Sequence, residues 1–350
     1  MSSTPSTPST PPTSLTSSTS SNPSTSPPSA SPAAPPPPAA SPAAVAGPAP
    51  RSRPSRLGRG DRLFLAAVIG LPLAALLVFV WLPALASAAL SFTTWDGIDL
   101  SDIHWTGVEN YTQILTNYPP FWPAVRHNVV WLLFTALLPT PFGVFLAYHL
   151  DQKIRFTRVY QTAIFLPMVL SLAVVGLIWE IIYNPDTGLL NSLLGAVGTG
   201  HHVDWLGDSD LNLWAVLVAS GWRHTGYIMI LYLAGLKSFD PALKEAAALD
   251  GANGRQTFFR VILPALKPVN VIIVVVTVME SLRAFDIVYV LGGGTGSKPG
   301  MELLSLLITD NIIGESGHIG YGSALAVVLL LVSLAAIGAF LVQTFRKEDR

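Results

Sequence analysis

The sequence contains no cysteine, which removes disulfides, thiolate metal ligands and cysteine nucleophiles together. Charge is scarce: Asp, Glu, Lys and Arg make up 12% of the 350 residues, and the net charge is −1. A balance so close to neutral gives no support to nucleic-acid binding. The first fifty residues carry no charged and no aromatic side chain. They are Ser, Thr, Pro and Ala almost throughout, and such a segment cannot bury enough apolar surface to offset its ordering entropy. Residues 1–58 are therefore expected to form a disordered tail, and the lack of an apolar core near Met1 argues against a signal peptide. The usual catalytic motifs are missing too. GGGTGSKPG (Gly292–Gly300) does not have the spacing of a phosphate-binding loop and reads as a turn. There is no G-x-S-x-G elbow and no H-E-x-x-H pair, and the adjacent His201 and His202 lack the ligand count of a metal centre. No cofactor or metal is expected on this chain.

What the chain has is apolar length. Half of its residues are hydrophobic, and the mean hydropathy is +0.49. A spanning helix needs about 20 mostly apolar residues, and six segments qualify. They are Leu63–Leu90, Asn128–Leu150, Val159–Tyr183, Leu213–Leu236, Val269–Val290 and Tyr321–Phe345. ALASA inside the first resembles a signal-peptidase site, but the apolar run before it is longer than a signal core, so it reads as a retained helix. The expected fold is all-α, with a six-span domain over residues 59–350. Basic residues alternate between loops. Arg51, Arg53, Arg56, Arg59 and Arg62 precede the first span, and Lys153, Arg155 and Arg158 follow the second. Lys237, Lys244, Arg255, Arg260 and Lys267 follow the fourth, and Arg346, Lys347 and Arg350 follow the sixth. The intervening loops hold only Arg126 and Lys298, with acids such as Asp96, Asp99, Asp102, Asp204, Asp208 and Asp210. Positive loops stay in the cytoplasm, so both termini are expected inside.

The loop over residues 238–268 then faces the cytoplasm. Asp240 can cap a helix and Pro241 suits its first position. Lys244 and Glu245 follow, then three alanines, and Gly251 and Gly254 supply a break before Phe258 and Phe259. On chemistry alone this is either an amphipathic connector at the membrane surface or a docking knob for a cytoplasmic partner.

EAAALDG followed by ANGRQTFFRVILP is similar to the EAA loop of bacterial ABC importer permeases, with Val261 in place of the usual isoleucine. RFTRVYQTAIFLPMVLSLAVVGLIWEIIYNPDTGLLNSLL, WRHTGYIMILYLAGLKSFDPALKEAAALDGAN and AFDIVYVLGGGTG resemble permeases of the maltose and glycerol-phosphate type. The tail, Lys244 where tyrosine is common, and SKPGMELLS depart from that pattern. The resemblance implies a subunit without catalysis of its own, in the bacterial plasma membrane, that carries a sugar inward. It implies a second permease subunit (in this family usually a different chain), a cytoplasmic ATPase dimer that binds ATP and Mg, and an extracytoplasmic sugar-binding protein. It also implies that Glu245, Ala246, Ala247, Asp250, Gly251, Leu263 and Pro264 couple the spans to the ATPase.

For the pathway, charge within the spans is the pointer, since a charge at the bilayer centre is costly. Glu280, Arg283 and Asp286 are spaced by three and could pair along one helix flank. Arg223 in the fourth span and Glu180 in the third are further candidates. Trp222, Arg223, Tyr227, Phe285 and Asp286 supply the aromatic faces and hydrogen-bonding groups that a sugar requires. The alternatives are ion pairs that lock the spans together and ordinary aromatic packing. The rival function is an ion-gradient-driven secondary transporter working through Glu280 and Asp286, which would have no use for the EAA loop.

Overall fold

The structure is a computed structural model that describes residues 58–152, 154–196, 202–294, 296–314 and 317–346. The expected tail lies outside the described residues except at Gly58, as does His201. The chain divides into a unit ending at Arg62 and a second unit, Leu63–Arg350. In the first, the Asp61 carboxylate accepts from the Gly58 amide at 3.0 Å.

Helix α1 (Arg59–Leu76) passes through a π-turn, Leu77–Trp81, into α2 (Leu82–Leu90). Pro83 lacks the amide that would close a regular turn there, which accounts for the local widening. Between Leu63 and Leu90 no residue is buried, a surface suited to lipid and not to water. A connecting segment follows, clasped by a bridge between Thr93 and Trp105 and held by the Asn110 amide, which donates to the Ser91 and Thr93 carbonyls. Asn110 belongs to α3 (Glu109–Thr116). Helices α4 (Phe121–Leu137) and α5 (Pro139–Asp151) form one span jointed at Leu138, before Pro139 and Pro141.

Helices α6 (Thr157–Val169) and α7 (Leu172–Tyr183) occupy the expected third span, but they meet at 103°. Leu170 is extended, and the Ser171 hydroxyl restarts the helix by accepting from the Val174 amide. The expected span over Val159–Tyr183 is thus not one continuous helix: with Leu170 extended, the capping serine fixes a new direction. After α8 (Leu189–Leu193) comes α9 (Asn212–Ser238), 27 residues buried along most of its length. The cytoplasmic-loop candidates are α10 (Pro241–Leu249), α11 (Gly254–Thr257), a π-turn at Phe258–Ile262 and α12 (Leu263–Ala265). The expected fifth span is α13 (Lys267–Leu282) and α14 (Asp286–Leu291), interrupted at 283–285. Helix α15 (Leu304–Ile312), which hydropathy had not marked, precedes α16 (Ile319–Arg346).

Leu63–Leu90, Phe121–Asp151 and Ile319–Phe340 are each long and apolar enough to cross a membrane. Two bent pairs, α6 with α7 and Gly254–Ala265 with Lys267–Leu291, bring the number to five if each is one span, by length and composition. Helix α9 is not among them. Its Asn212, Ser220, Arg223, His224 and Thr225 lower its hydropathy, and it can carry them because neighbouring helices cover it. Helix α9 serves as the axis of the bundle. Its first half enters a core with Trp131, Val175, Ile287 and Leu303, and its second half a core with Ala147, Leu150, Ile262 and Ile273. Small residues allow this packing. A Cβ on Gly226 would stand 2.3 Å from the Ile164 carbonyl oxygen of α6, and one on Gly143 of α5 2.8 Å from that of Thr225.

Gly226→Ala is expected to destabilise the chain by about 1–3 kcal/mol through overpacking. Gly338→Ala, with nothing within 4 Å of its added carbon, stays within about 0.5 kcal/mol. Thermal unfolding in detergent compares the two, and equal stability would contradict the close α6–α9 approach.

Candidate functional site

Where α13 stops and α14 starts, the backbone leaves the helix at Arg283, and Phe285 takes φ −141° and ψ −65°. Irregular backbone at membrane depth is tolerated where it borders a cavity, and one lies here. It measures about 160 Å³ and is lined by Trp131 and Thr135 of α4, Leu172 of α7, Ser220, Arg223 and His224 of α9, Glu280, and the run Arg283–Ile287. Five residues singled out in the sequence, Arg223, Glu280, Arg283, Phe285 and Asp286, thus meet around one space.

Their pairing differs from the expected one. Because α13 ends at Leu282 with Arg283 as its cap, Asp286 does not share a continuous helix flank with Glu280 and Arg283. Glu280 reaches across to α9, with its carboxylate 3.5 Å from the Arg223 guanidinium. The Arg223 Nε is buried and, among the described residues, has no hydrogen-bond partner. Trp222 lies outside this lining and sits edge-on to Trp179 at 5.9 Å. Tyr227 packs into the α5–α9 core, and Glu180 is exposed.

A ladder of small polar groups that the sequence reading missed starts at Thr135 and His224 of the cavity wall. Thr135 and Ser281 share a hydrogen bond at 2.7 Å, and the Ser281 hydroxyl donates to the Thr277 carbonyl. The His224 Nε2 lies 3.1 Å from the Thr140 hydroxyl and 3.2 Å from that of Thr277. Buried Asn128 bridges two elements, its amide donating to the Ser281 carbonyl and its oxygen accepting from the Leu304 amide at the start of α15. The signal was spacing: Thr277 and Ser281 are four apart, one turn of helix. Each group alone looked like a tolerated polar residue in an apolar span.

The second candidate region is the α10–α12 loop. The Asp240 carboxylate accepts from the Ala242 amide at 2.9 Å, and Pro241 opens the helix. At its other end the Gly251 amide donates to the Ala248 carbonyl and the Ala252 amide to that of Ala247, with Gly251 at φ +77°. This paired closure requires a left-handed residue, which glycine supplies without strain. Asn253 and Gln256 then cap α11 reciprocally, each side chain accepting from the other's amide at 2.9 Å. Glu245, Ala246, Asp250 and Gly251 are exposed, Ala247 is buried, and Leu249 is 89% exposed. Leu263 is partly buried and packs against the α9 core, while Pro264 is exposed.

Long apolar helices around a polar cavity, with capped helices projecting an alanine-rich face, define a multi-span membrane transport subunit. Residues 139–348 match the family described as binding-protein-dependent transport system inner membrane component. The chain is 35% identical over 259 residues to the xylose/arabinose import permease protein XacH of Haloferax volcanii, covering 74% of this chain and 81% of that one. It is 29% identical over 277 residues to the trehalose/maltose transport system permease protein MalF of Thermococcus litoralis, covering 79% and 92%. In fold it is similar to a chain of a bacterial alginate ABC transporter solved with its alginate pentasaccharide-bound periplasmic protein. The TM-score there is 0.69 at 19% identity, covering 80% of this chain and 93% of that one. The chain belongs to the binding-protein-dependent ABC transporter permeases of the plasma membrane, and it is a transport subunit without catalysis of its own.

The absence of native cysteine makes the polar ladder directly testable. Thr135→Cys with Ser281→Cys is expected to form a disulfide on mild oxidation, since the native oxygens lie 2.7 Å apart. Thiol titration after denaturation should find none free, whereas two free thiols would mean that α4 and α13 do not meet there.

Proposed function

We propose that this permease carries a sugar or a related polyol or sugar phosphate into a bacterial cell, one half of a pathway completed by a second permease chain. The observation that carries this reading is the α10 segment, capped at both ends, which leaves Glu245, Ala246, Asp250 and Leu249 open beside a rigid glycine turn. A monomer gains nothing by exposing Leu249 there. A cytoplasmic ATPase dimer, binding ATP and Mg, gains a shallow alanine face for close approach and two carboxylates to meet its basic groups. Gly251 then fixes the angle between α10 and α11, so that movement of the ATPase displaces a lever and does not simply bend a loop.

The sugar assignment rests on the relatives. The permeases it resembles are named for xylose and arabinose and for trehalose and maltose, and the alginate transporter of similar fold was solved with a saccharide-loaded periplasmic protein. The cavity chemistry agrees, with Trp131 and Phe285 as apolar faces and Arg223, Glu280, Arg283 and Asp286 as polar partners. An extracytoplasmic binding protein delivers the sugar. In this reading α9 is the remaining span of a set of six. Both termini and the α10 loop lie in the cytoplasm, as the positions of Lys and Arg require.

Gly251→Val tests the lever. A branched side chain at φ +77° is strained, so ATP-driven uptake of labelled xylose, arabinose, maltose or trehalose by vesicles holding the whole transporter should fall at least about tenfold. Glu245→Ala should weaken recovery of the ATPase with the chain. Wild-type uptake and recovery in both variants would remove α10 from the coupling path.

A further inference from the structure

The last turn of α5 holds both arms of the α10–α12 loop. The Asp151 carboxylate is only 13% exposed and accepts from two ammonium groups at once, Lys237 at 2.7 Å and Lys244 at 3.0 Å. Lys237 ends α9, so that bond stays within the bundle. Lys244 stands on α10 immediately before Glu245, and its ammonium also lies 5.7 Å over the Phe239 ring. One turn earlier on α5, the Tyr148 hydroxyl donates to the Gly254 carbonyl at 3.2 Å, and its ring lies 4.7 Å from that of Phe258. Helix α5 thus grips α10 through Asp151 and α11 through Tyr148.

The same helix reaches the polar ladder through Thr140, and α4 continues from it to Thr135 and Trp131 in the cavity lining. The two cations of Asp151 are not equivalent. A carboxylate taken from water is costly when left unpaired. With Lys237 in place, the Lys244 bond can open while Asp151 keeps a partner. That gives the contact two states at small cost, which a coupling element needs and which a lone buried pair would not allow.

We propose that Asp151 is a positioning residue for coupling: its bond to Lys244 carries the displacement of α10 into α5 and from there to the cavity, while its bond to Lys237 keeps the carboxylate charged when that latch opens. This rests on the reading of α10 as the ATPase-coupling helix. It is separate from docking, because Asp151 and Lys244 act on the bundle side of α10 and Glu245 and Asp250 are the exposed acids.

The test uses the complete transporter in proteoliposomes and needs no knowledge of the sugar. Ser220→Cys places a single thiol in this chain at the cavity, and its alkylation by a water-soluble maleimide is followed on this chain's gel band with and without ATP and Mg. In the otherwise unaltered chain, ATP should change the alkylation rate about fivefold or more. Asp151→Asn and Lys244→Met should abolish that dependence with the ATPase still recovered in full. Asp151→Glu should retain it, and Lys237→Met, which leaves Asp151 and Lys244 as a lone pair, should reduce it. Persistence of the ATP effect in Asp151→Asn or in Lys244→Met overturns the proposal, as does an undiminished effect in Lys237→Met. A variant that sheds the ATPase also counts against it, since the latch acts after docking. No ATP effect in the unaltered chain, with ATPase bound, would instead overturn the coupling role of α10 and this proposal with it.

Discussion

Lipid offers no partner to a hydrogen-bonding group, so every polar side chain that enters the bundle has to find one in the protein. Helix α9 brings in Arg223, His224 and Thr225, and the surrounding helices are arranged around them. Glu280 of α13 comes to Arg223, and Thr140 of α5 and Thr277 of α13 come to His224. Thr225 turns back to its own helix through the Gly221 carbonyl. Because these partners sit on α5 and α13, satisfying α9 forces three helices together at one level, with α4 added by Thr135 and Ser281. Among the described residues four buried side-chain atoms have no partner, Trp179 Nε1, Asn212 Oδ1, Tyr232 Oη and Arg223 Nε, and the last lies where the backbone of 283–285 opens into the cavity.

The same requirement explains how much was readable from the sequence. Long apolar runs such as Leu63–Leu90 and Ile319–Phe340 announce themselves, because lipid contact demands uninterrupted hydrophobicity. The α10 caps were legible because their determinants are local: Asp240 and Pro241 lie next to the amides they serve, and Gly251 takes the positive φ that closes the helix. The break at Arg283–Phe285 was not legible, since no proline or glycine marks it. Nor was the start of α15, whose Leu304 amide is capped by Asn128 from a helix 176 positions away. The expected pairing of Glu280 with Arg283 was a local inference as well, and it failed because the carboxylate's partner, Arg223, lies on another helix. Of the candidate pathway residues, Arg223, Glu280, Arg283, Asp286 and Phe285 gather at the cavity, and Glu180, Trp222 and Tyr227 do not. Charge inside a span needs an explanation, whereas an aromatic ring has ordinary packing open to it.

The bundle therefore joins two regions with different physical demands. Around the cavity, polar groups are held by one another. At the α10 loop, helices are held mainly by their own caps and by α5, leaving an open face. Helix α5 belongs to both. Its Thr140 sits in the ladder and its Tyr148 and Asp151 at the loop, about two and three turns further on. A permease that draws its energy from a partner needs such an element, since the work is done outside the membrane and its result is required inside.

The most direct test of that account is the energy source. Inside-loaded membrane vesicles holding this chain, its partner permease, the ATPase and the binding protein would be offered a panel of labelled sugars. Uptake with internal ATP would be compared with uptake under an imposed proton or sodium gradient. The account predicts uptake that requires ATP and survives an uncoupler. Uptake driven by the gradient alone, with no effect of ATP, would contradict it and make Glu280 and Asp286 the engine instead of the α10 lever.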